Sequence, residues 1–241
     1  MDLLGEISIS GGKVTATGGS GAPGIGTTVM RFDSITISGG TVNATGGDGA
    51  AGIGSGTNTF ANGTCYVGNI TISGGNVIAT GGSNGPGIGV CSGVQLNSIE
   101  ISGATVKATG GSDAPGIGAA SNGKCDEIYI TDGTVTANGG IDGTVTNVYL
   151  KDAARVYLYG GERYGINAYR VTIEDTIFLW AHTNTSENNA ISSMAKLILV
   201  NASGKNDTYL AESATPMQIL SRLRKVAINC QQPPPTLMGQ Y

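Results

Sequence analysis

One repeated stretch constrains what this chain can fold into. Residues Ser34 to Gly54 read SITISGGTVNATGGDGAAGIG, and near-copies flank them: EISISGGKVTATGGSGAPGIG from Glu6, NITISGGNVIATGGSNGPGIG from Asn69 and SIEISGATVKATGGSDAPGIG from Ser98. A fifth copy, EIYITDGTVTANGG from Glu127, keeps the first half and loses the GIG ending. The copies start 28, 35, 29 and 29 residues apart. Self-similarity at that period is the signature of a stacked solenoid, in which each unit buries its apolar face against the next.

Within a unit, ITIS alternates apolar and polar residues, the period of a strand. Ile35 and Ile37 face inward, Gly39-Gly40 turns a corner, Val42 and Ala44 face inward from a second strand, and Gly46-Gly47 turns again. Ile53, between two glycines, forms a short third side. Aligning the copies stacks Ile7, Ile35, Ile70, Ile99 and Ile128; then Ile9, Ile37, Ile72, Ile101 and Ile130; then Val14, Val42, Val77, Val106 and Val135. A narrow alanine stack (Ala16, Ala44, Ala79, Ala108, Ala137) and a third-side stack (Ile25, Ile53, Ile88, Ile117) complete the core. Neighbouring parallel strands need a long return path, which a three-sided coil supplies. The expected fold is all-β: a parallel β-helix of about eight coils, right-handed by the chirality of parallel crossovers. Each coil buries roughly five aliphatic side chains at ~1.5–3 kcal/mol apiece.

The expected boundaries are a β-helix over 1–212, regular at 5–140 and degenerate at 141–212, followed by a cap and tail over 213–241. Weaker copies begin at VYLKDAARVYLYGG (Val148), VTIEDTIFLWA (Val171) and LILVNAS (Leu197), where Leu158 and Leu179 replace the alanine stack. Ser213 to Val226 carries apolar residues at helical spacing after Thr215-Pro216, as a capping helix would, with a last KVAIN strand as the rival. The run Pro233-Pro234-Pro235 marks an extended tail.

Composition excludes several classes. The chain has 41 glycines but only 7 prolines and no Gly-X-Y period, which excludes collagen. A net charge of −4 with 12% charged residues gives no basic footprint for nucleic acid. No run reaches the ~18 apolar residues of a membrane span. Met1 to Ser10 is too short and acidic for a signal peptide, and the chain enters its first repeat almost at once. The expectation is a piece of a longer chain with an export signal upstream, the other reading being a cap formed by Met1 to Leu4. Of four cysteines, Cys65, Cys91 and Cys125 follow successive GIG segments, and Cys230 lies near the end. A bridge between neighbouring coils and buried free thiols both fit, and no zinc spacing occurs.

Three features could carry chemistry. Corner glycines of the early copies give way to Asp132, Asp152 and Asp175, a column of acids that could hold calcium. Gly, Asn and Asp are equally the residues that tolerate a left-handed corner. Outward Ser and Thr rows could meet a carbohydrate, whereas Lys107 spoils the flat plane an ice-binding surface needs. Aromatic residues gather late in the chain, and Tyr149, Tyr157 and Tyr159, with Arg155 and Arg163, are the candidate carbohydrate contacts. The single histidine, His182, has no visible Ser or Cys partner, so no acyl-transfer triad is expected.

The ITISGG, ATGG and GIG elements resemble the Gly-rich β-helix repeats of large secreted or wall-attached bacterial surface proteins. The resemblance covers Glu6 to Gly140 well and implies an extracellular or cell-surface setting with a polysaccharide or host glycan as partner. It brings no catalytic residues with it. The expectation is a non-catalytic adhesin, stalk or carbohydrate-binding module without a required cofactor. The alternative is a calcium-dependent polysaccharide lyase or glycoside hydrolase of the wider pectate-lyase-like superhelix class, a similarity of fold alone.

Overall fold

The computed structural model describes residues 5–28, 31–57, 65–162, 164–174, 178–182, 191–200 and 206–209. The expected capping helix at 213–226, the tail, Arg163, Asp175 and Cys230 lie outside them. Every regular element among the described residues is a strand. The first repeat contributes β1 (Glu6–Ile9), β2 (Lys13–Thr17) and β3 (Ile25–Thr27). The next three contribute β4 (Arg31–Ile37), β5 (Thr41–Thr45) and β6 (Ile53–Ser55); β7 (Cys65–Ile72), β8 (Asn76–Thr80) and β9 (Ile88–Val90); and β10 (Val94–Ile101), β11 (Ala104–Thr109) and β12 (Ile117–Ala119). Then come β13 (Lys124–Ile130), β14 (Gly133–Asn138), β15 (Ile141–Asp142), β16 (Thr144–Leu150), β17 (Arg155–Tyr159), β18 (Ile166–Glu174), β19 (Phe178–His182), β20 (Ile191–Val200) and β21 (Asn206–Tyr209).

Equivalent strands pair in parallel, in register, to form long ladders. The first ladder runs β1-β4-β7-β10-β13-β16-β18, and the second runs β2-β5-β8-β11-β14-β17-β19. A third ladder, β3-β6-β9-β12-β15, joins the first at β18. That strand begins opposite Ile141 in the third ladder and continues opposite Asn147 to Leu150 in the first. β20 follows β18 in parallel, and β21 closes back on β20 antiparallel.

The inward stacks are as the repeat alignment requires. Ile35, Ile70, Ile99 and Ile128 face one another across the ladder, as do Ile37, Ile72, Ile101 and Ile130, and all eight are fully or almost fully buried. Two features of the core differ from the sequence reading. The alanine stack is interrupted by Leu158 and resumes at Ala181, while Leu179 continues the valine stack opposite Val156. The third ladder also persists beyond the last GIG, because Ile141 pairs with Ile117 and Ile166 with Ile141.

The first-ladder strands begin earlier than ITIS alone indicates. Phe32, Val67, Leu96, Cys125 and Val145 add another inward stack. After it come two consecutive residues that leave the core, such as Gly68-Asn69, so the alternation slips by one in each strand. The pairing skips the first residue of each such couple: Asp33, Gly68, Asn97 and Asp126. These residues form a row across β4, β7, β10 and β13 and shape the outer face described below.

The GIG motif has a backbone cause. Gly26, Gly54, Gly89 and Gly118 stack in the third ladder with φ between +131° and +145°, a region L side chains rarely enter. A Cβ on Gly89 would lie 1.8 Å from the carbonyl oxygen of Gly118. We expect Gly89→Ala to destabilise the fold by at least ~3 kcal/mol, since both strain and a backbone clash oppose it. Gly19→Ala, where a Cβ meets nothing within 4 Å, should stay within ~0.5 kcal/mol of wild type. Thermal denaturation followed by circular dichroism compares the two. Equal effects would remove the glycine ladder as the reason for the motif.

Candidate functional site

The aromatic and arginine candidates divide between two faces. Tyr149 lies on β16 in the first ladder, whereas Arg155, Tyr157 and Tyr159 lie on β17 in the second. Both second-ladder tyrosines point outward but are half-buried. Tyr157 packs on Phe178 (centroids 5.4 Å apart, tilted 48°) and Tyr159 on Trp180 (4.6 Å, 50°). Trp180 in turn stacks on His182 at 5.4 Å and is only 4% exposed. These rings cover one another along neighbouring strands, which is how large side chains clad an outer sheet face. Arg155 stands exposed in register between Thr134 and Phe178.

The two described members of the acid column serve the corners. Asp132 accepts a hydrogen bond from the Gly133 N–H at 2.7 Å. Asp152 occupies the left-handed conformation itself (φ 56°), and its N–H donates to Glu174 Oε2 at 3.2 Å. Among the described residues, no three His, Cys, Asp or Glu side chains converge as a metal site would require. The acid that sequence reasoning overlooked is Asp142, which stands opposite Gly118 at the end of the glycine ladder and is 3% exposed. Its Oδ1 accepts from Gly143 N–H and from Asn167 Nδ2 at 2.9 Å, which satisfies a buried carboxylate where the short side changes partner.

The richest outer surface belongs to the first ladder. Register places Glu100, Tyr129 and Tyr149 in one row on β10, β13 and β16. The two tyrosine rings stack 4.7 Å apart and 6° from parallel, and Lys151 Nζ lies 5.4 Å from the Tyr149 ring. The Tyr129 hydroxyl donates to Glu127 Oε2 at 2.8 Å. That bond, with the nearby negative charge, pushes the phenol up to about 12, so it stays a neutral donor locked in place. Because Tyr149 covers one face of Tyr129, the other is turned toward Glu100. The space there, about 310 Å³, is lined by Glu100, Ile101, Ser102, Tyr129 and Thr131. Ser98 Oγ donates its single proton to Asn69 Oδ1 at 2.9 Å, with Glu100 Oε1 lying 3.3 Å away, so the carboxylate keeps its acceptor capacity. A flat ring face, a carboxylate and two hydroxyls can stack on and hydrogen-bond a small polyhydroxylated ring. Tyr129 was not among the sequence candidates, although EIYI and VYL align in the repeat and put Tyr129 and Tyr149 in one column.

Five segments of the chain, residues 7–28, 35–57, 70–89, 99–121 and 128–146, match the family model described as beta helix repeat. With the in-register parallel ladders, they define the class: a parallel β-helix repeat solenoid. No curated protein and no solved structure matches.

Cys65, Cys91 and Cys125 are free and buried. Cys91 is held by Ser55, whose Oγ accepts the Cys91 N–H at 2.9 Å and whose carbonyl oxygen accepts the thiol at 3.3 Å. Burial is the main cause that raises these thiols, to about 11 at Cys91 and about 12 at Cys125. They are therefore packed as small apolar groups rather than nucleophiles. Their contribution to stability is present in full below the ordinary thiol value of 9.0 and is lost as pH rises through about 11 and about 12. We expect thiol-reactive probes at pH 8 to leave Cys91 and Cys125 unlabelled in the folded protein, as mapped by peptide mass spectrometry, and alkaline titration to weaken the fold progressively above pH 9. Rapid labelling of either thiol without unfolding would contradict this placement.

Proposed function

We propose that this chain is a non-catalytic, extracellular β-helix segment that binds carbohydrate through the outer face of its first ladder. The scaffold in this reading is a right-handed, three-sided coil of about eight turns within a larger Gly-rich surface protein, with a polysaccharide or host glycan as partner. The observation that carries the reading is the Tyr129–Tyr149 stack beside Glu100, with its open space of about 310 Å³. Stacked tyrosines on successive strands offer a rigid apolar platform at low entropic cost, and the adjoining carboxylate and hydroxyls supply directional hydrogen bonds. Supporting it, the second-ladder aromatics pack on one another, and Asp132 and Asp152 act at corners.

A glycan array followed by isothermal titration of the hits tests the reading. Tyr129→Ala should weaken binding at least tenfold, a loss of about 1.4 kcal/mol. Tyr157→Ala, on the other face, should leave affinity unchanged. Absence of binding to any glycan at millimolar concentration would reduce the segment to a spacer.

A further inference from the structure

A second concavity lies on the same outer face, at the point where the first-ladder strands lose their alternation. It holds about 310 Å³ and is lined by Arg31, Tyr66, Gln95 and Asn97, among others, with Gly68 at its floor. Register sets Arg31 beside Tyr66 and Tyr66 beside Gln95 on β4, β7 and β10. In the adjacent row, Gly68 stands between Asp33 and Asn97. A Cβ there would come within 2.1 Å of the Asp33 carbonyl oxygen, so the backbone itself keeps a notch free of side chain.

The groups around the notch are available. Tyr66 is 47% exposed, and Arg31 has no ion-pair partner among the described residues. Asn97 donates its Nδ2 to Asn69 Oδ1 at 2.8 Å, which orients the amide and leaves its own carbonyl oxygen as an acceptor. Asp126 is occupied by Lys124 at 2.6 Å. Asn97 and Glu100 lie on the same strand, three residues apart, which is about 10 Å at roughly 3.3 Å per residue.

We propose that this notch is a second saccharide subsite and that one oligosaccharide spans it and the Tyr129 platform. The inference rests on the carbohydrate reading above and adds a chain-length requirement and a ligand class. Tyr66 supplies the second stacking surface, and Arg31 and Asn97 hydrogen-bond hydroxyls of the unit against it. Glu100 and Glu127 outnumber Lys151 around the platform, and Asp33 offsets Arg31 at the notch, so a negatively charged chain meets repulsion at the first site and no net attraction at the second. The ligand class is a neutral oligosaccharide rather than a polyuronate.

Isothermal titration of the whole chain with cellohexaose, mannohexaose, chitohexaose and hexagalacturonate, and with the matching disaccharides, tests the proposal. The expected result is that a neutral hexasaccharide binds at least tenfold tighter than its disaccharide. Tyr66→Ala and Asn97→Ala should remove that advantage without altering the thermal midpoint, because both side chains are exposed. If the chain-length advantage survives Tyr66→Ala while Tyr129→Ala still weakens binding, the second subsite is wrong and the first reading stands. Preference for hexagalacturonate overturns the neutral class. Binding of none of the probes overturns both.

Discussion

The structure depends on backbone meeting backbone at fixed register, unit after unit. Each strand hydrogen-bonds to its equivalents in the units before and after, so every inward position must repeat the same shape. The constraint is tightest in the third ladder, where Gly26, Gly54, Gly89 and Gly118 sit against the carbonyl of the next unit and no Cβ has room. Isoleucine stacks are tolerant by comparison, because neighbouring aliphatic side chains interdigitate and accept modest changes of shape. Where Asp142 replaces the glycine, the short side no longer stacks in the same way, and the fourteen-stranded sheet passes through β18 to join two ladders.

Because the inner columns are committed to packing, variation is free only on the outer rows. A side chain there has two neighbours about 4.8 Å away along the ladder, a spacing that suits aromatic stacking. The Tyr129–Tyr149 and Tyr159–Trp180 contacts both arise this way, on different faces. Their consequences differ. The second-ladder rings bury one another, while Tyr129 keeps a face open beside Glu100 because the preceding unit carries a carboxylate instead of a ring.

Much of the core was legible in the sequence, since strict repetition turns alignment into contact. Ile99 against Ile70 and Ile128, or Val106 against Val77 and Val135, needed only the copies laid one over another. Legibility failed where the period drifted. The shorter units after Gly140 hid the Ile141–Ile166 pairing and the return to alanine at Ala181. The stack from Phe32 to Val145 was missed for a different reason: it lies before a break in alternation, where two successive residues leave the core and a strand pattern of period two ends. The same break creates the row of Asp33, Gly68, Asn97 and Asp126, so the notch was hidden with it.

The sequence by itself determined the repeat unit and the inward columns. Those properties follow from the local period and its repetition along the chain. Only the tertiary structure decided which glycines leave no room for a Cβ and which outward side chains meet on either side of each strand's irregular point. That depends on register between residues some thirty positions apart and on how many residues each strand spends at its irregular point. Tyr66 beside Arg31, Glu100 beside Tyr129, and the separation of Tyr149 from Tyr157 are consequences of that register. No unit carries them alone, because each arises from differences between units.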